Sequence, residues 1–274
     1  MQLETGNANT ADNRPTVYFV GSGPGDPELI TLKAKRLVEQ ADVIIYSGSL
    51  LNPEILKYAR KDAQLHDAAV IDREKIFEIL RDSALAGKLA IRFHDGDPAL
   101  FSTIREQIDK LEREGIRSVV VPGVTAILGA AAAMNLELTV PGITQTLIIS
   151  RAELRTPVPK RESIAELAKH GATMAFYLSV HLIEDVVAEL LKGGQYTEST
   201  PAAVVFRATW DDQKIITGTL GDIARKTKDA RIIKTALIIV GEAISPAGYE
   251  FSKVYDPGFT HGYRRATPNN SVKD

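Results

Sequence analysis

The chain contains no cysteine. That excludes disulfides, thiolate metal sites and a cysteine nucleophile, and it leaves the redox compartment unread. Aromatic residues make up only 6% of the 274 residues, with a single tryptophan. No apolar run is long enough to span a bilayer, and Met1 to Pro15 lack the apolar core of a signal peptide. An excess of one charge is missing too. Lys and Arg number 33 against 35 Asp and Glu, a formal net charge of -2. That balance carries no nucleic-acid footprint over the whole surface, although it leaves room for a local basic patch. The expectation is a soluble cytoplasmic protein with no membrane and no nucleic-acid partner. Five histidines are present. His66, His170, His181 and His261 show no metal-ligand spacing, and no metal is expected.

What is abundant is apolar residue, 44% of the chain, enough for one large or two ordinary domains with real cores. Met1 to Pro15 read as a disordered tail. A strand-helix rhythm follows. Strands are expected at Thr16–Val20, Val43–Tyr46, Gln64–Ala68, Leu89–Phe93 and Ser118–Val121. Helices are expected at Leu29–Gln40, Pro53–Arg60, Asp72 to about Ala86, Phe101–Glu114 and Thr125–Met134. Such alternation implies an α/β fold with a mostly parallel sheet covered on both faces.

Pro141-Gly142 punctuates the chain. Beyond it, strands are expected at Gln145–Ser150, Thr173–Leu178, Ala202–Arg207, Lys214–Thr219 and Ala236–Val240, with helices at Arg161–Lys169, His181–Lys192 and Leu220–Lys228. The short connection between Ala202–Arg207 and Lys214–Thr219 suits an antiparallel hairpin, so the second sheet should be mixed. The expected division is a tail at 1–15, an N-terminal α/β domain at 16–134, a C-terminal α/β domain at 135–246 and a polar tail at 247–274, frayed from Asn269.

Polar residues gather at the carboxyl ends of strands, where open α/β sheets bind ligands. The first such place is Gly21-Ser22-Gly23-Pro24-Gly25-Asp26-Pro27, a glycine-rich strand-to-helix turn. It is ill suited to phosphate, because Pro24 has no N–H to donate and Asp26 brings negative charge. A cationic ligand or an uncharged ribose suits it better, and a tight turn with no ligand remains the alternative. The others are His94-Asp95-Gly96-Asp97-Pro98, Pro122-Gly123-Val124-Thr125 and Arg207-Ala208-Thr209. Asp95 and Asp97 could accept hydrogen bonds from a ligand or serve as helix caps. His94 could act as a base or be structural. Tyr177 and Trp210 read as packing residues.

These motifs, in this order and spacing, resemble the tetrapyrrole methylase family over Val17 to about Ile244. Within it, Gly142-Ile143-Thr144-Gln145-Thr146, Ser150-Arg151-Ala152-Glu153 and Arg155-Thr156-Pro157-Val158-Pro159 resemble the branch of precorrin-4 C11-methyltransferases, as do Ala208-Thr209-Trp210 and Asp212-Gln213-Lys214. The resemblance implies two α/β domains with S-adenosylmethionine in the cleft between them, and a homodimer. It implies cofactor contacts at Pro24, Asp95, Gly96, Asp97, Phe101, Thr125, Ala126, Leu178, Ala208 and Ala236. It also implies methyl transfer to C11 of precorrin-4 or cobalt-precorrin-4 in cobalamin biosynthesis, with S-adenosylhomocysteine as product. Such a transfer rests on proximity and orientation, with neither metal nor covalent intermediate, and the catalytic residue stays unnamed. The substrate's carboxylates match arginine forks, so Arg151 and Arg155 are candidates for them, with solvated loop arginines as the alternative. Other readings stand beside this one: another tetrapyrrole methylation, on uroporphyrinogen III or a precorrin; an rRNA or translation-factor methyltransferase of the same fold; and a non-catalytic S-adenosylmethionine sensor, which would lack the loop aspartates.

Overall fold

The computed structural model describes residues 14–153 and 156–267. The expected disorder of Met1 to Pro15 and the fraying after Asn269 fall almost wholly outside these residues. By internal contacts the chain forms two units, Met1–Ala126 with Thr209–Asp211, and Ile127–Ala208 with Asp212–Asp274.

The first unit is built on β1 (Thr16–Gly21), β2 (Val43–Tyr46), β3 (Gln64–Asp67), β4 (Ala90–His94) and β5 (Arg117–Val121), in the order β3-β2-β4-β1-β5. All its pairings are parallel. The apolar runs of β1 and β4 take the central places because both faces there are covered. On one face Val17, Phe19 and Ile45 pack with Ile76, Phe77 and Leu80 of α2 (Arg73–Leu85) and Leu111 of α3 (Ile104–Arg113). On the other, Val20, Ile44, Ile91 and Phe93 pack with Ala34 and Val38 of α1 (Leu32–Gln40). Asp72 caps α2, its carboxylate accepting from Lys75 N at 2.8 Å, and Gly87, at φ +72°, stands just past the end.

The second unit carries β6 (Leu147–Arg151), β7 (Thr173–Tyr177), β8 (Pro201–Phe206), β9 (Lys214–Thr219) and β10 (Ala236–Val240), in the order β6-β7-β10-β8-β9. Only β6 and β7 run parallel; β8 and β9 form the expected hairpin, with Val204 opposite Ile216. One face packs on α5 (Ile164–Ala168), α6 (Ile183–Lys192) and α7 (Ile223–Asp229). The other packs on α4 (Ala126–Ala133), whose Ile127 and Ala130 meet Ala175, Val205 and Ile239.

Several helices start later than their apolar patterns suggest. The expected helix from Leu29 begins at Leu32, because Thr31 caps it through Ala34 N, while Pro27–Leu29 is a separate turn capped by Asp26. Leu32, an expected apolar position, is exposed. Pro53–Tyr58 is a 3-10 turn and not an α-helix. The helix expected from Phe101 begins at Ile104, since Phe101 and Thr103 are left-handed, with φ of 56° and 51°. The helix expected at Arg161–Lys169 divides into a 3-10 turn, Lys160–Glu162, and the short α5. The segment after Ser245 is tied by Arg264, which donates to the carbonyls of Val254 and Asp256 at 3.0 and 2.6 Å. Among the described residues no helix is long and apolar enough to cross a membrane.

Candidate functional site

The carboxyl ends of β1, β4 and β5 meet backbone to backbone. Ser22 N donates to His94 O at 2.8 Å, and Gly23 and Gly96 exchange hydrogen bonds at 3.2 and 2.9 Å. A Cβ on Gly21 would lie 2.6 Å from Gly96 O and 2.7 Å from Gly123 Cα. A Cβ on Gly123 would overlap Gly96 O outright and lie 2.9 Å from Gly21 Cα. Three strand ends approach this closely only where no side chain intervenes. Their glycines form the floor of the site.

The aspartates around that floor divide their work. Asp26 Oδ1 accepts from Glu28 N at 2.8 Å, which caps the following turn. Asp97 accepts from Ala99 N through Oδ1 at 2.7 Å and from Gly123 N through Oδ2 at 2.8 Å, so it fastens the β4 loop to the β5 loop. Among the described residues no backbone amide of another residue donates to Asp95. Burial pushes its carboxyl above the ordinary value, against the opposing pull of its own amide and of the Arg92 charge.

Of the expected cofactor contacts, Pro24, Asp95, Gly96, Asp97, Phe101 and Thr125 lie on the loops after β1, β4 and β5, and Ala126 opens α4. Leu178 follows β7 directly and Ala208 lies two residues past the end of β8, while Ala236 opens β10, paired with Phe206 at the end of β8. Arg151 ends β6, opposite Tyr177. The second unit therefore collects Leu178, Ala208, Ala236 and Arg151 along one edge of its sheet. Phe101, Leu178, Arg207, Thr209 and Thr235 all have positive φ. Non-glycine residues pay a conformational cost there, and such residues cluster at functional sites. Leu178 is also 54% exposed, which is unusual for a leucine held in a fixed strained turn.

Arg151 donates through Nη1 to Thr156 O at 3.0 Å and Ala152 O at 3.3 Å, and through Nη2 to Pro157 O at 3.2 Å. Its guanidinium holds the loop it belongs to. Arg155 lies outside the described residues, as does Leu154. Tyr177, read as packing, has a polar function as well: its hydroxyl oxygen accepts from Ile127 N at 2.9 Å, satisfying an amide in the first turn of α4. Trp210 donates from Nε1 to Pro24 O.

Two buried polar residues lie on β4; Arg92 escaped the sequence reading, whereas His94 stands in it as a base or a structural residue. Arg92 is 7% exposed; its Nη1 donates to Ile45 O and Phe93 O at 3.2 and 3.3 Å, while among the described residues Nε has no partner. Burial pulls its pKa down to about 10, so it stays charged at neutral pH. The signal was there, an arginine inside the apolar run Leu89–Phe93. His94, 2% exposed, lies against the Phe19 ring with centroids 6.2 Å apart, and among the described residues its Nε2 has no partner. Burial, then the Arg92 charge, pull its pKa down to about 3.

A histidine buried in its neutral form has a consequence for acid stability. The unfolded chain takes up a proton near pH 6.5 and the folded chain does so only near 3. Stability contributed by His94 is therefore present above pH 6.5 and is lost as pH falls toward 3. Asp95, raised in the fold, acts with the opposite sign. Urea unfolding of His94→Phe and wild type at pH 7.5 and 5 is expected to show a smaller acid loss in the variant. Equal losses would mean that His94 is protonated in the fold.

Among the described residues no group of three or more His, Cys, Asp or Glu gathers as a metal site. The site suits S-adenosylmethionine chemically. Its opening loop combines carbonyl acceptors with a proline that removes a donor, and Asp95 is available to an amine or a hydroxyl.

The model of the tetrapyrrole (corrin/porphyrin) methylases matches residues 16–224. A cobalt-precorrin-4 C(11)-methyltransferase of Methanocaldococcus jannaschii is 49% identical over 255 residues, 93% of this chain and 98% of that one. The X-ray structure of a cobalamin biosynthetic enzyme, cobalt precorrin-4 methyltransferase, superposes with a TM-score of 0.82 at 42% identity, over 84% of this chain and 96% of that one. A uroporphyrin-III C-methyl transferase from Thermus thermophilus, complexed with S-adenosyl homocysteine, superposes with a TM-score of 0.69 at 28% identity, over 84% and 98%.

Proposed function

The chain belongs to the tetrapyrrole (corrin/porphyrin) methylase family, and on that premise we propose that it methylates C11 of precorrin-4 or cobalt-precorrin-4 in cobalamin biosynthesis, using S-adenosylmethionine. The observation that carries this reading is the glycine floor beside Asp95, in a chain similar over almost its whole length to precorrin-4 methyltransferases. S-adenosylmethionine, when bound, supplies an electrophilic methyl group on a cationic sulfur.

The residues' work is binding and orientation. Gly21, Gly96 and Gly123 let a ligand approach main chain directly. Pro24 and Gly96 bring main chain to the ligand, and Asp95 offers a carboxylate. Asp97 holds the floor together. Phe101, Thr125, Ala126, Leu178, Ala208 and Ala236 complete the proposed cofactor set. The macrocycle's acetate and propionate groups fall to Arg151 and Arg155. The protein acts as a cytoplasmic homodimer in this reading, which light scattering on the purified chain checks.

Incubation with S-adenosylmethionine and precorrin-4, cobalt-precorrin-4 or uroporphyrinogen III, read by mass spectrometry, tests the proposal. One methyl group gained by a precorrin-4 form is the expected result; gain by uroporphyrinogen III alone would reassign the step. Calorimetry is expected to find binding of S-adenosylhomocysteine and none of NAD, whose pyrophosphate the opening loop disfavours.

Arg151→Ala is expected to raise the KM for the tetrapyrrole about tenfold, the scale of one charge-assisted hydrogen bond, and to leave S-adenosylhomocysteine affinity unchanged. Arg151→Lys should recover part of the loss, since an ammonium lacks the planar fork. Unchanged steady-state kinetics in Arg151→Ala would remove it from the substrate site.

A further inference from the structure

Three consecutive residues of the opening loop are held by side chains distant in sequence. Trp210 Nε1 donates to Pro24 O at 3.2 Å. Asn52 Nδ2 donates to Gly25 O at 2.9 Å. Asp26 N donates to Thr209 Oγ1 at 2.9 Å. Each tie comes from a side chain with a specific geometry. Asn52 also accepts from Glu54 N through Oδ1 at 3.1 Å, so its amide orientation is set from both ends. Thr209 is β-branched and sits at φ +68°, where such a residue is strained. Its hydroxyl nonetheless reaches the loop.

A Gly-Pro-Gly-Asp segment needs this support. Flanking glycines leave the backbone many conformations, and a ligand that must select one of them loses affinity in doing so. The anchors on Gly23 and Gly96 fix only the start of the loop, and the Asp26 cap only its end. The Pro24 and Gly25 carbonyls lie between. Two donors and one acceptor, on three successive residues, orient those peptide planes before any ligand arrives.

We propose that Asn52, Thr209 and Trp210 are positioning residues for the methyl donor: they hold Pro24–Asp26 in the binding shape, so that donor affinity depends on hydrogen bonds made to the loop's back. This rests on the S-adenosylmethionine reading above. The bracket acts on binding and not on the transfer itself. Its signature is a rise in the KM for S-adenosylmethionine at unchanged kcat and unchanged tetrapyrrole KM.

The test uses S-adenosylhomocysteine as probe, calorimetry on the full chain and steady-state kinetics. Trp210→Phe keeps the ring and removes the donor. Thr209→Val keeps the shape and removes the hydroxyl. Each is expected to raise the dissociation constant by about threefold to tenfold, the range for one hydrogen bond. Thr209→Ser, which retains the hydroxyl, is expected to bind like wild type. Urea midpoints of all variants separate loss of the loop's shape from loss of the fold. If Trp210→Phe and Thr209→Val bind the probe as wild type does, the bracket is overturned, whatever their stability. A wild-type chain that does not bind the probe at all overturns the methyl-donor reading, and the bracket with it.

Discussion

Gly123→Ala is expected to produce the largest single loss of stability in this protein. The new methyl group would overlap Gly96 O and crowd Gly21 Cα at 2.9 Å, and both neighbours are main chain. Main chain cannot turn aside as a flexible side chain can. The ends of β1, β4 and β5 would have to separate, breaking the Gly23–Gly96 bridge and the Asp97 bond to Gly123 N. The expected cost is about 3 kcal/mol or more, beyond ordinary overpacking. Urea unfolding followed by circular dichroism measures it, and S-adenosylhomocysteine binding should vanish in whatever folded protein remains. Gly87→Ala is the control. Gly87 also has a positive φ, but a Cβ there meets nothing within 4 Å, so its cost should stay near the roughly 1–2 kcal/mol of a left-handed non-glycine residue. A Gly123 variant no worse than this control would show that the strand ends can part without difficulty.

Asp97→Ala should come second, and it separates two roles. Both carboxylate oxygens accept from backbone amides, those of Ala99 and Gly123. Removing them leaves two N–H groups without their acceptor, that of Gly123 part-buried and that of Ala99 exposed. Hydrogen bonds to a charged group are worth about 1.5–3 kcal/mol each, and two that share a carboxylate do not simply add, so a loss of about 2–4 kcal/mol is expected. Cofactor affinity should fall together with stability, because the floor loosens. Asp97→Asn should fall between the two proteins: its carboxamide oxygen can serve one amide, while its NH2 faces the other. Cofactor affinity lost at full stability would instead make Asp97 a direct ligand contact.

The strands and the sheet types were legible for a local reason. Apolar runs such as Val43–Tyr46 and Ala236–Val240 carry their own signal, and the short connection before Lys214 allows only an antiparallel return. The motif positions were legible as well, because glycine and aspartate at strand ends stand out against β-branched neighbours. What stayed hidden depends on partners distant in sequence. Phe101 and Thr103 look like helix, and their left-handed backbone is set by the loop that brings Asp97 to Gly123. Arg92 looks like an interruption of β4, and its burial depends on the carbonyl of Ile45 in the neighbouring strand. Trp210 looked like packing, because nothing within a few residues of it reveals a bond to Pro24. Asp95 and Asp97 looked alike, each a ligand acceptor or a helix cap, yet Asp97 joins two loops.

The strand order of the first sheet also bears on how the chain is made. β1 is made before the other strands of its sheet, yet in that sheet it pairs with β4 and β5, and its Val20 lies about a hundred residues before its partner Val121. At roughly 5–20 residues per second, this apolar strand is without its second neighbour for about 5–20 s of synthesis. During that interval its apolar side chains and backbone edges are open to other chains or to a chaperone. β2 and β3 lie close in sequence, so this pair is complete in the growing chain much sooner. The glycine floor, which needs the ends of β1, β4 and β5 together, cannot form before β5 is made. A nascent chain halted before Val121 has no such floor.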